Sequence, residues 1–135
     1  MRGALAGLGL LVLAGGAPAD EAPPARAAQP IRVARVRLVD ALAPSPSVES
    51  RLEEIRRRIQ GALVYPPLAR AEGQEGESLV EFEIDAQGHA TGIETTRGSG
   101  HWALDRAARA AVAAAAPLPY VWGRLEVPVH FALGR

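Results

Sequence analysis

The apolar residues of the second half of the chain follow a helical period first. From Ser50 onward they recur every three or four residues, at Leu52, Ile55, Ile59 and Leu63. This spacing places them on one face of an amphipathic helix. Ser50 and Glu53 have the spacing of a capping box, which predicts the start of the helix there. Pro66 and Pro67 predict its end, because proline is incompatible with a helix interior.

The period then changes from helix to strand. Between Ser78 and Asp85, Val80, Phe82 and Ile84 alternate with polar residues, which indicates a half-buried strand. The segment Asp85-Ala86-Gln87-Gly88 suits a tight turn, with Asp in its first position and Gly in its last. Residues 89–96 then return as a second strand, with a bulge at Gly92. The sequence therefore predicts an antiparallel hairpin.

A second helix and a closing strand complete the pattern. The predicted core face of the helix consists of Leu104, Ala107, Ala108, Ala111, Val112 and Ala115. Pro117 and Pro119 predict its end. The last strand covers Leu125–Leu133, with apolar residues at alternate positions and a proline, Pro128, inside it. Since proline cannot donate to a strand ladder, it predicts an exposed edge strand, which is a surface for binding another strand.

These elements predict an α+β domain at residues 49–135, with the order α-β-β-α-β. In this small two-layer domain, a three-stranded antiparallel sheet packs against two helices. Residues 20–48 contain proline, alanine and charge, and we assign them to a linker. Ile31–Val39 within it is apolar with interspersed arginines. It could form a short strand, although its alternation slips at Ala34-Arg35.

Residues 1–19 resemble a secretory signal. Arg2 follows the initiating methionine, an apolar run covers residues 4–14, and Ala17-Pro18-Ala19 has the small residues of a cleavage site. We predict a signal peptide that is removed after Ala19, and therefore a periplasmic mature protein. The alternative is an uncleaved inner-membrane anchor at residues 3–19, although a span needs about 20 apolar residues.

Composition narrows the choice of function. Fifteen arginines balance fifteen acidic residues, and the chain contains no lysine or cysteine. A neutral balance gives no footprint for nucleic acid, and without cysteine there is no disulfide, thiolate nucleophile or cysteine metal site. We expect no nucleic-acid partner.

Enzyme motifs are weak in this sequence. Gly98-Ser99-Gly100-His101-Trp102-Ala103 formally matches a dinucleotide fingerprint, but it follows a hairpin strand instead of opening a parallel βαβ unit. The three histidines, His89, His101 and His130, are too far apart in sequence for a short metal-ligand motif. No base is marked out beside any hydroxyl residue, although sequence alone does not exclude a triad. We predict no catalytic, cofactor-binding or metal-binding residue, no cofactor and no enzyme.

Five ordered motifs resemble the C-terminal domain of the TonB family. Tyr65-Pro66 with Ala69-Arg70 follows the first helix, and Val80-Glu81-Phe82-Glu83-Ile84 follows a turn with small residues. Gly88 lies in the hairpin turn. Ser99-Gly100-His101 then precedes Leu104-Asp105 and the alanine run. Val127-Pro128-Val129-His130-Phe131 closes the domain. The resemblance covers residues 50–133.

The resemblance implies a periplasmic adaptor that supports energy-dependent transport across the outer membrane, such as siderophore uptake. A TonB-box peptide of an outer-membrane TonB-dependent transporter would add as a strand beside the last strand. The residues expected to bind this partner are Arg124, Leu125, Glu126, Val127, Val129 and Phe131. An inner-membrane proton-channel motor complex is a further implied partner, and an edge-to-edge homodimer is plausible. Tyr65-Pro66 is expected to position the first helix on the sheet.

Three departures from the family pattern bear on the expected function. The second helix ends in Ala114-Ala115-Ala116-Pro117, which is similar to the related TolA C-terminal domain. Residues 3–19 hold no histidine, serine or acid that could contact a motor inside the bilayer. The long proline-rich spacer is missing. The alternative function is therefore a TolA-like or stand-alone envelope module that binds a partner without transmitting force.

Overall fold

The computed structural model describes residues 30–40 and 43–133, so the predicted signal peptide lies outside the described residues. The elements in chain order are β1 (Ile31–Val33), β2 (Arg37–Leu38), α1 (Pro46–Ala62), α2 (Pro67–Ala71), β3 (Gly76–Ile84), β4 (Ala90–Arg97), α3 (Trp102–Ala114) and β5 (Leu125–Phe131). The predicted α-β-β-α-β order is confirmed. Two short strands precede it, so the described residues form a five-stranded sheet instead of the predicted three-stranded one, and α2 follows the first helix.

Helix α1 begins earlier than predicted. The Ser45 hydroxyl accepts the Val48 N–H at 3.4 Å, and Pro46 occupies the first turn, where its missing N–H has no cost. The capping box predicted at Ser50 and Glu53 was therefore wrong, because Ser45 already provides the cap. The predicted apolar face is confirmed, with Leu52, Ile55 and Ile59 buried.

The sheet is antiparallel and has the strand order β1-β5-β3-β4, with β2 also paired to β5. Residues 31–38, which we assigned to the linker, are therefore part of the folded unit, which spans Pro30–Leu133. Our domain boundary at residue 49 was too late. The slip in alternation at Ala34-Arg35 falls between β1 and β2, so the pattern did indicate the interruption.

The hairpin of β3 and β4 agrees with the prediction. The Gly88 N–H donates to the Asp85 carbonyl at 3.0 Å, and the Asp85 carboxylate accepts the N–H groups of Gln87 and His89 at 2.9 and 2.8 Å. These backbone donors lower the pKa of Asp85. The register of the two strands shifts beside Gly92, which is the predicted bulge.

One face of the sheet forms the core with the helices. The buried residues of β3 and β5 alternate along each strand and share that face: Ser78, Val80, Phe82, Ile84, Leu125, Val127, Val129 and Phe131. Helix α3 covers them with Leu104, Ala108, Ala111 and Val112, and its alanines allow close approach to the sheet. The opposite face of the sheet carries charged residues and faces solvent.

Candidate functional site

Strand β5 has neighbours on both of its sides, and the two sides differ. Toward β3, it pairs over seven consecutive positions, from Gly76 opposite Phe131 to Phe82 opposite Leu125. Toward the other side, it pairs with β1 and then with β2. The expectation that β5 is an exposed edge was therefore wrong, because the N-terminal segment of the same chain covers that edge.

Residues 30–39, which we call the edge segment, pair with β5 in two pieces. Three positions of β1 align with Val129–Phe131 and two positions of β2 align with Leu125–Glu126. Hydrogen bonds at both ends extend the pairing, since Ala132 N–H donates to Pro30 and Val39 N–H donates to Arg124. The edge segment therefore follows the whole length of β5.

Pro128 lies opposite the gap in this pairing. Its carbonyl accepts the Ala34 N–H at 2.9 Å, so the backbone polar groups of Pro128 face the edge segment. Proline has no N–H to return to its neighbour. The register then shifts by one residue between β1 and β2, and Arg35 is the extra residue of the resulting bulge. Pro128 thus lies on the side of β5 that was expected to be an exposed edge, but the edge segment occupies this side.

The predicted partner-binding side chains divide into two groups. Leu125, Val127, Val129 and Phe131 are at most 2% exposed and lie in the core. They face the helices, because the side chains of a strand alternate. Glu126 and Arg124 lie on the solvent side of the sheet.

A row of charged residues crosses four strands on that solvent side. Arg37 of β2 is opposite Glu126 of β5, Glu126 is opposite Glu81 of β3, and Glu81 is opposite Glu94 of β4. Like charges directly opposite each other destabilise a sheet. Arg124 offsets this repulsion by donating to Glu81 at 2.8 Å and to Glu94 at 2.9 Å. Arg37 forms an ion pair with Glu126.

The surrounding carboxylates also change the pKa of Arg124. Its hydrogen bond to Glu81 is the main cause that raises the pKa of Arg124. Its side chain is 24% exposed, and that of Glu126 is 13% exposed. These two residues are therefore partly shielded from water, so their charge pairing carries more weight than that of a fully exposed ion pair.

One glutamine from α1 holds the outer edge of β1. Gln60 Oε1 accepts the Val33 N–H at 2.7 Å, and Gln60 Nε2 donates to the Ile31 carbonyl at 3.4 Å. These two backbone groups point away from β5 and would otherwise be open to another strand. Sequence analysis missed Gln60, because its helical position gives no sign of a role in the sheet.

Tyr65 connects the chain after the first helix to β5 and to the loop before β3. Tyr65 is buried, and its ring meets that of Phe131 edge to face with centroids 5.3 Å apart. Its hydroxyl donates to the Gln74 carbonyl, and Arg70 lies over its ring. Burial raises the pKa of Tyr65. Pro66 is the N-cap residue of α2, and Ala69 is the buried residue within that helix.

The Ser99 motif is a structural loop. The Asp105 carboxylate accepts the Ser99 N–H at 2.8 Å, and an added Cβ at Gly98 would lie 2.9 Å from the same carboxylate. Leu104 is fully buried, and Gly100 has a positive φ of 94°. The Asp105 carboxylate therefore holds the loop that precedes α3.

Exposed aromatic residues flank the start of β5. Trp122 is 82% exposed and Tyr120 is 46% exposed. Together with Leu38, Gly123 and Arg124, they line a groove of about 580 Å³ at the end of β2. A strand lying along β5 would therefore continue toward this groove. Tyr65 plugs the core, whereas Tyr120 and Trp122 are accessible to a partner.

Two of the three histidines each lie near one carboxylate. His130 lies 3.3 Å from Glu77 on the solvent face, and His89 lies 3.6 Å from Asp85 in the hairpin turn. Within residues 30–40 and 43–133, no group of three or more potential ligands is placed to hold a metal ion. In the same part of the chain, no helix has the length and apolar character needed to span a membrane.

Comparison with solved structures supports the fold. The NMR solution structure of Helicobacter pylori TonB-CTD (residues 179–285) superimposes with a TM-score of 0.58 at 26% identity, covering 70% of this chain and 99% of that structure. A shorter form of the same domain, residues 194–285, gives a TM-score of 0.53 at 32% identity, with 63% and 96% coverage. The α+β assignment is confirmed.

Sequence comparison identifies the family. Protein TonB of Helicobacter pylori is 34% identical over 98 residues, and Protein TonB of Xanthomonas campestris is 36% identical over 75 residues. These alignments cover 70% and 51% of this chain but 34% of each relative, so the chain matches about a third of their length. Residues 61–133 match the family described as "Gram-negative bacterial TonB protein C-terminal". The chain therefore belongs to the TonB C-terminal domain family.

Proposed function

We propose that this chain is a non-enzymatic periplasmic adaptor that binds outer-membrane transporters and supports their energy-dependent transport. Membership of the TonB family supports this role. We further propose that the transporter contributes an extended TonB-box segment, which adds to the sheet by β-augmentation at β5. Backbone hydrogen bonds would then supply affinity, and side chains at alternate positions would supply specificity.

The observation that carries this proposal is the difference between the two sides of β5. The β3 side is paired continuously over seven positions, so a partner cannot enter there without dismantling the core. The other side is paired in runs of three and two positions around the Pro128 gap. Broken pairing forms fewer continuous ladder bonds and opens at lower free energy. We therefore place the transporter segment on the side of the edge segment.

Export and localisation rest on residues outside the described part of the chain. We propose cleavage after Ala19 and a periplasmic mature protein, with an inner-membrane anchor at residues 3–19 as the alternative. N-terminal sequencing of the protein from cell fractions separates these two proposals. A start at Asp20 in the periplasmic fraction supports cleavage, whereas an intact Met1 in the inner-membrane fraction supports the anchor.

Amide mapping tests transporter binding directly. The full chain, expressed for export and labelled with ¹⁵N, would be titrated with a synthetic peptide from the periplasm-facing N-terminus of a transporter of the same bacterium. We expect the largest shifts at residues 124–132 and at residues 30–39. A scrambled peptide is the control. Shifts confined to β4, or none at saturating peptide, would contradict binding at β5.

A further inference from the structure

A partner strand that pairs with β5 on this side would have to replace the edge segment. Resting on the proposed function, we propose that residues 30–39 form a removable strand that occupies the partner's place on β5. We infer that the strand replacing it must carry a basic residue that meets Glu126. It must also carry apolar residues at the positions now filled by Val33 and Val36.

The attachment of the edge segment is suited to release. Its inner side forms a broken ladder with β5, interrupted at the Arg35 bulge. On its outer side, the backbone of β1 accepts one hydrogen bond from Gln60 at Ile31 and donates one to Gln60 from Val33. The Arg35 side chain forms an exposed ion pair with Glu49 at 2.9 Å, which contributes little. These contacts are separate from the pairing of β5 with β3 and of β3 with β4.

The core side of the edge segment indicates where a replacement strand needs apolar residues. Val33 and Val36 are 1% and 2% exposed, and Ile31 and Leu38 pack against the core from the same strand face. Departure of the edge segment would expose the apolar surface that these side chains cover. A replacement strand must therefore present apolar, preferably β-branched, residues at corresponding positions.

The charged face determines the basic residue. Glu126 is directly opposite Glu81, and both carboxylates are largely shielded from water, with 13% and 18% side-chain exposure. The hydrogen bonds of Arg124 go to Glu81 and Glu94, while the ion pair of Glu126 is with Arg37 of the edge segment. Removing Arg37 leaves the Glu126 carboxylate opposite the Glu81 carboxylate without its own ion-pair partner, which is unfavourable. A cation on the incoming strand restores the balance.

A peptide that copies the edge segment provides the probe. A synthetic peptide with the sequence of residues 30–39 would be titrated into the full wild-type chain and into a full chain carrying Val33→Asp and Val36→Asp. The two aspartates would place charges in the core and so release the edge segment. We expect tight binding to the double variant and much weaker binding to the wild type, because the attached segment competes at an effective millimolar concentration.

Charge reversal tests the basic residue. A peptide with Arg37→Glu should bind the double variant at least about tenfold more weakly, and adding Glu126→Arg to the chain should reverse this preference. Equal affinity of both peptides, or a preference that Glu126→Arg leaves unchanged, would overturn the charge rule. If the native peptide binds with this preference while no transporter segment binds, the proposed function fails and the strand-replacement site stands.

A milder variant keeps the test decisive if the double variant does not fold. Gln60→Ala removes both hydrogen bonds to β1, whereas Gln60→Glu keeps the acceptor for the Val33 N–H. We expect hydrogen exchange at Ala34 and Ala132 to accelerate about tenfold or more in Gln60→Ala, less in Gln60→Glu, and not at all at the β3–β5 ladder. Exchange of Ala34 and Ala132 only through global unfolding would overturn a removable strand.

Discussion

The two sides of β5 show how one strand can serve both the fold and a partner. Toward β3, seven consecutive pairs join it to the strand that carries Phe82 into the core. Toward the edge segment, five pairs are divided by a bulge opposite Pro128. Both sides bury apolar side chains on the same sheet face. The difference lies in the continuity of the ladder, so stability is expected to reside on the first side and exchange on the second.

The largest expected effect breaks the stable side. Phe82 is fully buried on β3, opposite Leu125. Phe82→Ala should lower the free energy of unfolding by about 3–5 kcal/mol, because it removes a large side chain and leaves a cavity. Urea denaturation followed by circular dichroism measures this loss. A loss below about 1 kcal/mol would show that β3 contributes little to the core.

Two adjacent proline substitutions separate the two sides. The carbonyl of Pro128 and the N–H of Ala132 bond to the edge segment, so by alternation the N–H of His130 faces that segment and the N–H of Val129 faces β3. Val129→Pro should cost about 1–3 kcal/mol for the unpaired carbonyl on β3, and more for lost packing. His130→Pro should cost about 0.5–1.5 kcal/mol.

The two proline variants should differ in which backbone amides they expose to hydrogen exchange. Hydrogen exchange should show faster exchange across the whole sheet in Val129→Pro but only along residues 30–39 in His130→Pro. Each variant is the control for the other, because both add one proline to the same strand. Similar losses of stability and similar exchange patterns would contradict the assignment of the two sides.

A smaller effect should increase stability on the continuous side. The Ser78 hydroxyl is buried opposite Val129, and among the described residues it has no hydrogen-bond partner. Ser78→Ala removes an unsatisfied polar group with little change in volume, so we expect a gain of about 1 kcal/mol. A thermal or urea melt measures it. A loss of stability would indicate that this hydroxyl has a partner in solution.

The smallest expected effect is a pH dependence in the hairpin on the continuous side. Backbone donors lower the pKa of Asp85, so its stabilising contribution is complete above the ordinary pKa of aspartate. That contribution is lost as the pH falls through the lower folded value. Asp85→Asn should remove this component. The difference in unfolding free energy between wild type and variant should therefore shrink on acidification, and a difference that is constant with pH would contradict this assignment.

The fold was largely predictable because its periods are regular. Leu52, Ile55 and Ile59 repeat with the helix, and Val80, Phe82 and Ile84 repeat with the strand, so local pattern and burial agree. The edge segment was harder to assign. Its arginines and its slip at Ala34-Arg35 resemble those of a linker, and only the long-range pairing with β5 stabilises it as strands.

The candidate site was less predictable for the same reason. Pro128 predicted an exposed edge on one side of β5, but local sequence does not show that a distant segment covers that side. Gln60 and Arg37 act through partners that are far away in the sequence, at Val33 and Glu126. Contacts of this kind depend on the register of the sheet, which periodicity alone does not determine.

A pair of disulfide locks tests the central claim most directly. His130 is opposite Arg32 on β1 and opposite Glu77 on β3, and the chain contains no cysteine. One full chain would carry Arg32→Cys with His130→Cys, and the other Glu77→Cys with His130→Cys. The Arg32–His130 pair is hydrogen-bonded, which places its Cα atoms about 5.5 Å apart, and the Glu77–His130 pair is non-hydrogen-bonded, which places its Cα atoms about 4.5 Å apart. Both spacings are within reach of a disulfide.

Binding of the transporter-derived peptide would be measured for each locked chain before and after reduction. We predict that oxidation of the β1 lock abolishes binding and that reduction restores it, because the edge segment can then leave β5. The β3 lock should bind equally well in both states. Unchanged binding by the oxidised β1 lock would contradict the claim that the partner takes the place of the edge segment.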